Sequence, residues 1–324
     1  MLKIRKPFSH AGVMLNYQCT AACRHCLYAC SPTYDDGYMH SNTMDNVIAL
    51  LQESGCTSIH VGGGEPFINL QELCNFLKKA ATAGLPVDYI ETNACWATDE
   101  ATIAQYFDAL HKVGDFALCI SLDPFHAEYI PHAFPLRLAN ACRKYGIDHF
   151  LWQQKFANTL RNVDPDTAHS RKELEALISP NYVLDTANAY GIRMSGRAIQ
   201  IELEHSPQQP LRTLLSASGC NGLISTSHFH VDMHGRFVPP GCTGLSIPME
   251  EAVRGIPAGK YPVYEALFSG GVAALYELAA DNGFAAKETY TSSCALCFFI
   301  RKFLSEQGKF EELDGKYYEE SLLY

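Results

Sequence analysis

The stretch Cys19-Thr20-Ala21-Ala22-Cys23-Arg24-His25-Cys26 follows a short apolar run, Ala11–Leu15, that reads as a β-strand. Thiolates separated by three and then two residues can ligate three irons of a 4Fe–4S cube and leave the fourth iron open to a small ligand. The loop therefore points to redox chemistry in a reducing compartment. The competing reading is a zinc knuckle. Zinc prefers four closed ligands, commonly in CxxC pairs, and the next thiol, Cys30, lies only four residues beyond Cys26.

The chain has 324 residues, of which 47% are hydrophobic, enough for one large domain and a small one. Lys and Arg number 25 against 35 Asp and Glu, a net charge of −10, and no basic run stands out. That balance argues against nucleic acid or an anionic membrane surface as partner. No stretch approaches the ~20 apolar residues of a membrane span. The N-terminus, Met1-Leu2-Lys3-Ile4-Arg5-Lys6-Pro7, lacks the apolar core of a signal peptide, so a cytoplasmic location is expected. Thirteen cysteines with clustered spacings favour metal or Fe–S ligation over a disulfide scaffold.

A βα rhythm runs through the first two-thirds of the chain. Strands are expected at Ala11–Leu15, Thr57–Val61, Val87–Thr92, Phe116–Leu122 and Phe150–Gln153, with a sixth near Ile192–Ile199. Apolar stripes at helical spacing lie between them: Met44, Val47, Ile48 and Leu51 (capped by Ser41 or Asn42 and stopped by Gly55), then Leu70, Leu73, Leu77 and Ala81, then Ile103, Phe107 and Leu110. Six such units predict an α/β fold, a partial (β/α)6 barrel of parallel strands with helices outside. Ligand sites in such folds gather at the carboxyl ends of the strands. After about Glu204 the rhythm stops. Phe229–Asp232 and Arg236–Val238 read as a hairpin around Gly235, and Cys294-Ala295-Leu296-Cys297 opens a last helix. The expected division is 1–204 for the barrel and 205–324 for a small α+β domain.

These residues together resemble the radical S-adenosylmethionine (radical SAM) superfamily. The resemblance rests on Cys19, Cys23 and Cys26 and on the turn Gly63-Gly64-Glu65-Pro66 after the second strand. The strand ends Thr92-Asn93 and Ser121-Leu122-Asp123 support it. The order Cys220, Gly235, Cys242, Cys294 and Cys297 is similar to the SPASM or shorter twitch domain, with one auxiliary 4Fe–4S cluster on four cysteines. Zinc is the rival for those four thiols, since a CxxC pair fits either metal. The resemblance implies two clusters and reductive cleavage of S-adenosylmethionine to a 5′-deoxyadenosyl radical that abstracts hydrogen from substrate. It also implies a reductant such as flavodoxin or ferredoxin.

On that resemblance His25 packs near the adenine, the Gly62, Gly63 and Gly64 backbone approaches the methionyl group, and Glu65 accepts from its amine. Ser121 and Asp123 are candidates for the carboxylate and ribose, although both could simply cap the helix at Pro124. Asn93 and Arg193 are further mouth residues. Cys30 and Cys95 are candidate hydrogen-atom donors, against an idle-thiol reading. His228 and His230 alternate along a strand and are read as structural, and Cys56, Cys74, Cys119 and Cys142 as small core residues. Domains of the twitch or SPASM kind commonly modify peptides. The expected function is therefore modification of a peptide or protein by epimerisation, crosslinking or oxidation. Only eighteen residues precede Cys19, so no N-terminal peptide-recognition domain is expected. The alternatives are dehydrogenation of a small metabolite such as an alcohol, and a non-enzymatic Fe–S or zinc protein.

Overall fold

The computed structural model describes residue 4 and residues 8–34, 37–216, 220–224 and 228–323. The N-terminal stretch read for a signal peptide lies outside them except for Ile4. Strands β1 (His10–Met14), β2 (Ser58–Gly62), β3 (Val87–Thr92), β4 (Ala117–Ser121) and β5 (Asp148–Trp152) each pair in parallel with the next. Parallel neighbours need long crossovers, and helices supply them here. α1 (Ser41–Ser54), α2 (Leu70–Ala83) and α3 (Glu100–His111) carry the first three connections. A short α4 (Pro124–Ala127) and then α5 (Ala133–Tyr145) carry the fourth.

The expected stripes form the inner helix faces. Met44, Val47, Ile48 and Leu51 are buried on α1, and Ile103, Phe107 and Leu110 on α3. On α2 the buried set is Leu73, Phe76, Leu77 and Ala80, one position away from the expected Ala81. Neither Ser41 nor Asn42 caps α1; His40 holds that position without a side-chain hydrogen bond.

The sixth parallel strand is not where the periodicity put it. Residues 192–197 are irregular, and a helix follows at Ala198–His205. Gly191 and Gly196 turn the chain at φ 69° and 58°. Ala198, Ile199, Ile201 and Glu202 then bury one helical face. The strand β6 (Gln209–Pro210) leaves the main sheet to pair with Thr289–Tyr290. The chain returns as β7 (Phe229–Val231), parallel to β1, and continues antiparallel through β8 (Arg236–Val238) and β9 (Ile247–Pro248). The order β5-β4-β3-β2-β1-β7-β8-β9 thus contains six parallel strands, the partial barrel expected from the rhythm. This sheet runs across residue 205, where a domain boundary was expected. The expected hairpin is β7–β8, its turn held by Asp232 Oδ1, which accepts from the His234 and Arg236 N–H groups at 2.9 Å. No described helix is long and apolar enough to cross a membrane.

Phe229 anchors β7. It is fully buried, edge-on to Phe8 at 5.1 Å and tilted against Phe237 at 5.3 Å. Truncation leaves a cavity that these rings cannot fill. Phe229→Ala is expected to destabilise the chain by about 3–5 kcal/mol, read as an earlier urea midpoint.

Candidate active site

The cysteine loop has little regular structure, and its shape is set by the groups that grip it. Asn16, at the end of β1, donates through Nδ2 to the carbonyls of Gln18 at 3.1 Å and Glu65 at 3.2 Å. Gly64 N donates to Asn16 O at 2.8 Å, and Glu65 N to Gln18 O at 2.9 Å. The loop and the turn after β2 are therefore laced backbone to backbone. A Cβ on Gly64 would come 1.9 Å from Gln18 O, so only glycine permits this approach.

From the other side Arg197, 1% exposed, donates Nε to Cys23 O at 3.0 Å, Nη1 to Ala29 O at 2.9 Å and Nη2 to Cys30 O. Its backbone N–H adds Cys26 O at 3.0 Å. A buried guanidinium thus satisfies the loop carbonyls that have no helix or sheet to bond. Downstream, Glu320 of the C-terminal helix accepts from Ser31 Oγ at 2.7 Å and Thr33 Oγ1 at 3.1 Å.

Cys19, Cys23 and Cys26 lie on the wall of a cavity of about 430 Å³, together with Gly63, Gly64 and Cys30. Three thiols on one wall are the soft donor set that suits an iron–sulfur cluster. Asn93 reaches the same wall and donates Nδ2 toward Cys19 Sγ at 3.5 Å and to Thr20 Oγ1 at 3.2 Å. The same cavity is lined by Ser121, Trp152, Tyr190 and Arg193. His25 also faces the cavity, stacked on Phe125 at 5.0 Å and packed against Tyr190 at 4.8 Å. Burial pushes its imidazole down to about 4, so it is neutral, and its Nδ1 has no hydrogen-bond partner among the described residues.

Four expected site residues are not on that wall. Glu65 is fully buried and its carboxylate is occupied: Phe67 N donates to Oε1 at 3.1 Å, Thr92 Oγ1 to Oε1 at 3.0 Å, and Asn93 N to Oε2 at 2.7 Å. It braces the ends of β2 and β3 against each other. Asp123 caps α4 through Phe125 N and His126 N, and its other oxygen meets His126 Nδ1 at 2.7 Å. Burial opposes ionisation there, but His126 and His25 hold the carboxyl down to about 2. Gly62 faces Glu91, whose Oε2 would lie 2.7 Å from an added Cβ. Cys95 is half-buried beside Asn93, and burial pushes its thiol up to about 12. Cys30 is on the wall, hydrogen-bonded to Cys26. That bond is the main reason the Cys26 thiol falls to about 5.

The sequence reading missed Arg197, Glu91 and Tyr190, and it assigned Cys119 to the core although Cys119 also faces the cavity. Glu91 and Cys119 carried a period-two signal, since they alternate with buried Ile90 and with Leu118 and Ile120. In the C-terminal part, Cys220 and Cys242 bring their sulfurs to 3.8 Å. Cys294 and Cys297 sit in the first turns of the helix Ser293–Ser305, close enough to feel the charge of Cys220. The buried Arg301 guanidinium lies among these thiols.

Comparison with known proteins adds three findings. Residues 12–113 match the family model of the 4Fe–4S single cluster domain, a span that holds the cysteine loop, and this bears out the iron–sulfur reading of that loop. A Bacillus subtilis (strain 168) protein provisionally assigned to peptide biosynthesis, YydG, is 24% identical over 137 residues. That match spans 41% of this chain and 42% of the relative. Among solved structures, BtrN in complex with AdoMet and 2-DOIA aligns over 78% of this chain and 82% of its own, with 14% identity and a TM-score of 0.43. Streptococcus suis SuiB bound to precursor peptide SuiA aligns over 88% and 75%, with 13% identity and a TM-score of 0.37.

Removing Arg197 strands the loop carbonyls in the interior. Arg197→Ala is expected to cost at least ~3 kcal/mol and to lower bound iron and sulfide per reconstituted chain, while Arg171→Ala, on the surface, leaves both unchanged. Glu65 yields a pH signature. Burial pushes it up to about 7 from 4.5, so the folded chain keeps a proton there that the unfolded chain has released. Its contribution to stability therefore falls as pH rises from about 4.5 to 7. Glu65→Gln is expected to flatten that part of the stability–pH curve, leaving the slope from Glu91, which burial also raises to about 7.

Proposed function

We propose that this chain is a radical SAM enzyme in which Cys19, Cys23 and Cys26 hold the reactive 4Fe–4S cluster, and that its substrate is a peptide or protein. The observation that carries the reading is the presence of those three thiols in the lining of one cavity, within the span that matches a 4Fe–4S domain. When bound, cluster and S-adenosylmethionine supply one-electron cleavage to a 5′-deoxyadenosyl radical that takes a hydrogen atom from substrate.

The chain's own residues bind, orient and exclude water. The Asn93 amide donates toward the Cys19 sulfur and offsets part of its negative charge. Gly63 and Gly64 keep side chains out of the wall beside the thiols. Ser121 and Arg193 bring a hydroxyl and a cation suited to the methionyl carboxylate. His25, neutral and stacked, offers a flat face to a purine. Trp152 and Tyr190 line the cavity with aromatic surface. Of the two thiols considered as hydrogen donors, the position of Cys30 on the wall supports it over Cys95.

Cys220, Cys242, Cys294 and Cys297 are proposed to hold a second, fully ligated 4Fe–4S cluster. Such a cluster has no open iron and would carry electrons or brace the substrate-facing part. The peptide substrate is supported by the partial match to YydG and by the commonness of peptide chemistry in twitch-type proteins. The outcome proposed is epimerisation, crosslinking or oxidation, with electrons from a flavodoxin or ferredoxin in the cytoplasm.

Anaerobic reconstitution followed by dithionite and S-adenosylmethionine tests the proposal. About eight irons per chain and release of 5′-deoxyadenosine are expected, with release abolished when Cys19, Cys23 and Cys26 become Ala. Failure to bind S-adenosylmethionine would overturn the enzyme reading. About four irons plus zinc, with cleavage retained, would overturn only the second cluster.

A further inference from the structure

At the opposite, amino-terminal end of the barrel strands lies a group of histidines that the reaction above does not use. His10 opens β1, His60 lies in β2, and His228 immediately precedes β7. His10 Nε2 and His60 Nδ1 face each other at 3.1 Å. A ligand nitrogen of His228 lies within 4.8 Å of both. The His228 ring is nearly parallel to each, at 12° and 8°, with centroids 5.4 Å and 5.2 Å away. Room for these rings is made by Gly12, where a Cβ would come 2.5 Å from His60 Nε2 and 2.3 Å from His230 Cδ2.

The outer nitrogens decide what the inner ones can do. His10 Nδ1 lies 3.2 Å from Ser58 Oγ and 3.4 Å from Asp88 Oδ2. His60 Nε2 lies 3.6 Å from Glu91 Oε1. Ser58 Oγ and Asp88 beside His10 Nδ1 place its ring proton there, as in carboxylate–histidine–metal triads, while Glu91 flanks His60 Nε2 just beyond hydrogen-bond reach. His10 Nε2 then presents a lone pair to His60 Nδ1 at 3.1 Å, where either the His60 N–H or a metal ion shared by both rings can meet it. A tetrahedral zinc ion, at about 2.0–2.1 Å from each nitrogen, sets its ligand nitrogens about 3.3 Å apart.

We propose that His10, His60 and His228 form a three-imidazole site for a divalent transition-metal ion of zinc type. Asp88 orients His10. Three protein ligands leave a fourth position open, the pattern of sites that take water or a substrate oxygen. His228 is exposed and also lines the cavity below the cysteine loop, so the ion belongs to the far end of the same space.

The test is zinc binding by iron–sulfur-reconstituted protein in competition with a chromophoric chelator, with iron and zinc counted together. One zinc per chain is expected beyond the iron. Asp88→Asn, a partly exposed second partner, should weaken binding by about 10–100-fold. The double variant His10→Gln, His228→Gln should lose the zinc with iron content unchanged. Cu2+ substituted for zinc should show nitrogen hyperfine splitting in its EPR spectrum. Wild-type protein that holds its iron but takes up no zinc would overturn the proposal, leaving a plain N–H···N bond between His10 and His60. So would zinc retained by the double variant. Neither arm depends on S-adenosylmethionine cleavage.

Discussion

The structure depends on backbone carbonyls that no helix or sheet satisfies. A loop that brings three thiols to one cavity here leaves regular structure, and its peptide groups then need partners from elsewhere. Arg197 meets that need with four donors to Cys23, Cys26, Ala29 and Cys30, three from its guanidinium and one from its backbone. The turn after β2 meets it from the other side, where Gly64 allows peptide planes to come within hydrogen-bonding distance of Asn16 and Gln18. The interior cost of an unpaired carbonyl, about 1–3 kcal/mol, makes these two grips a condition of the loop's shape.

A second consequence is the division of labour among the acidic groups near the loop. Glu65 and Asp123 read as ligand contacts in the sequence, yet each is consumed by backbone N–H groups and one neighbouring side chain. They fix where strands β2, β3 and β4 end, and so where Asn93, Ser121 and the thiols stand. The groups left facing the cavity are of mixed kind: soft sulfur, aromatic rings, a guanidinium and several imidazoles. Such a space suits a sulfur-bound cofactor beside a larger, partly polar substrate.

The first five strands and their helices were legible because each carries its own period, and the thiol motif because its spacing is local. The sixth parallel strand was not. β7 reads in the sequence as one strand of a short hairpin, but nothing in its three residues announces the parallel pairing with β1 far upstream. The segment Ile192–Ile199 opens with a strand-like alternation, Ile192 and Met194 against Arg193 and Ser195, but Gly191 and Gly196 turn the backbone before any strand can form. Arg197 carried no signal, since its partners lie more than a hundred and sixty residues upstream. His10 and His60 likewise become neighbours only through the β1–β2 register, which sets His60 opposite Gly12.

The central claim is that the cluster held by Cys19, Cys23 and Cys26 has an iron free to take S-adenosylmethionine. EPR of the dithionite-reduced protein, with and without S-adenosylmethionine, addresses this directly, using a variant with Cys220, Cys242, Cys294 and Cys297 changed to Ala to remove overlap. The account predicts one reduced 4Fe–4S signal whose shape changes when S-adenosylmethionine is added. A signal that S-adenosylmethionine leaves unchanged would contradict it.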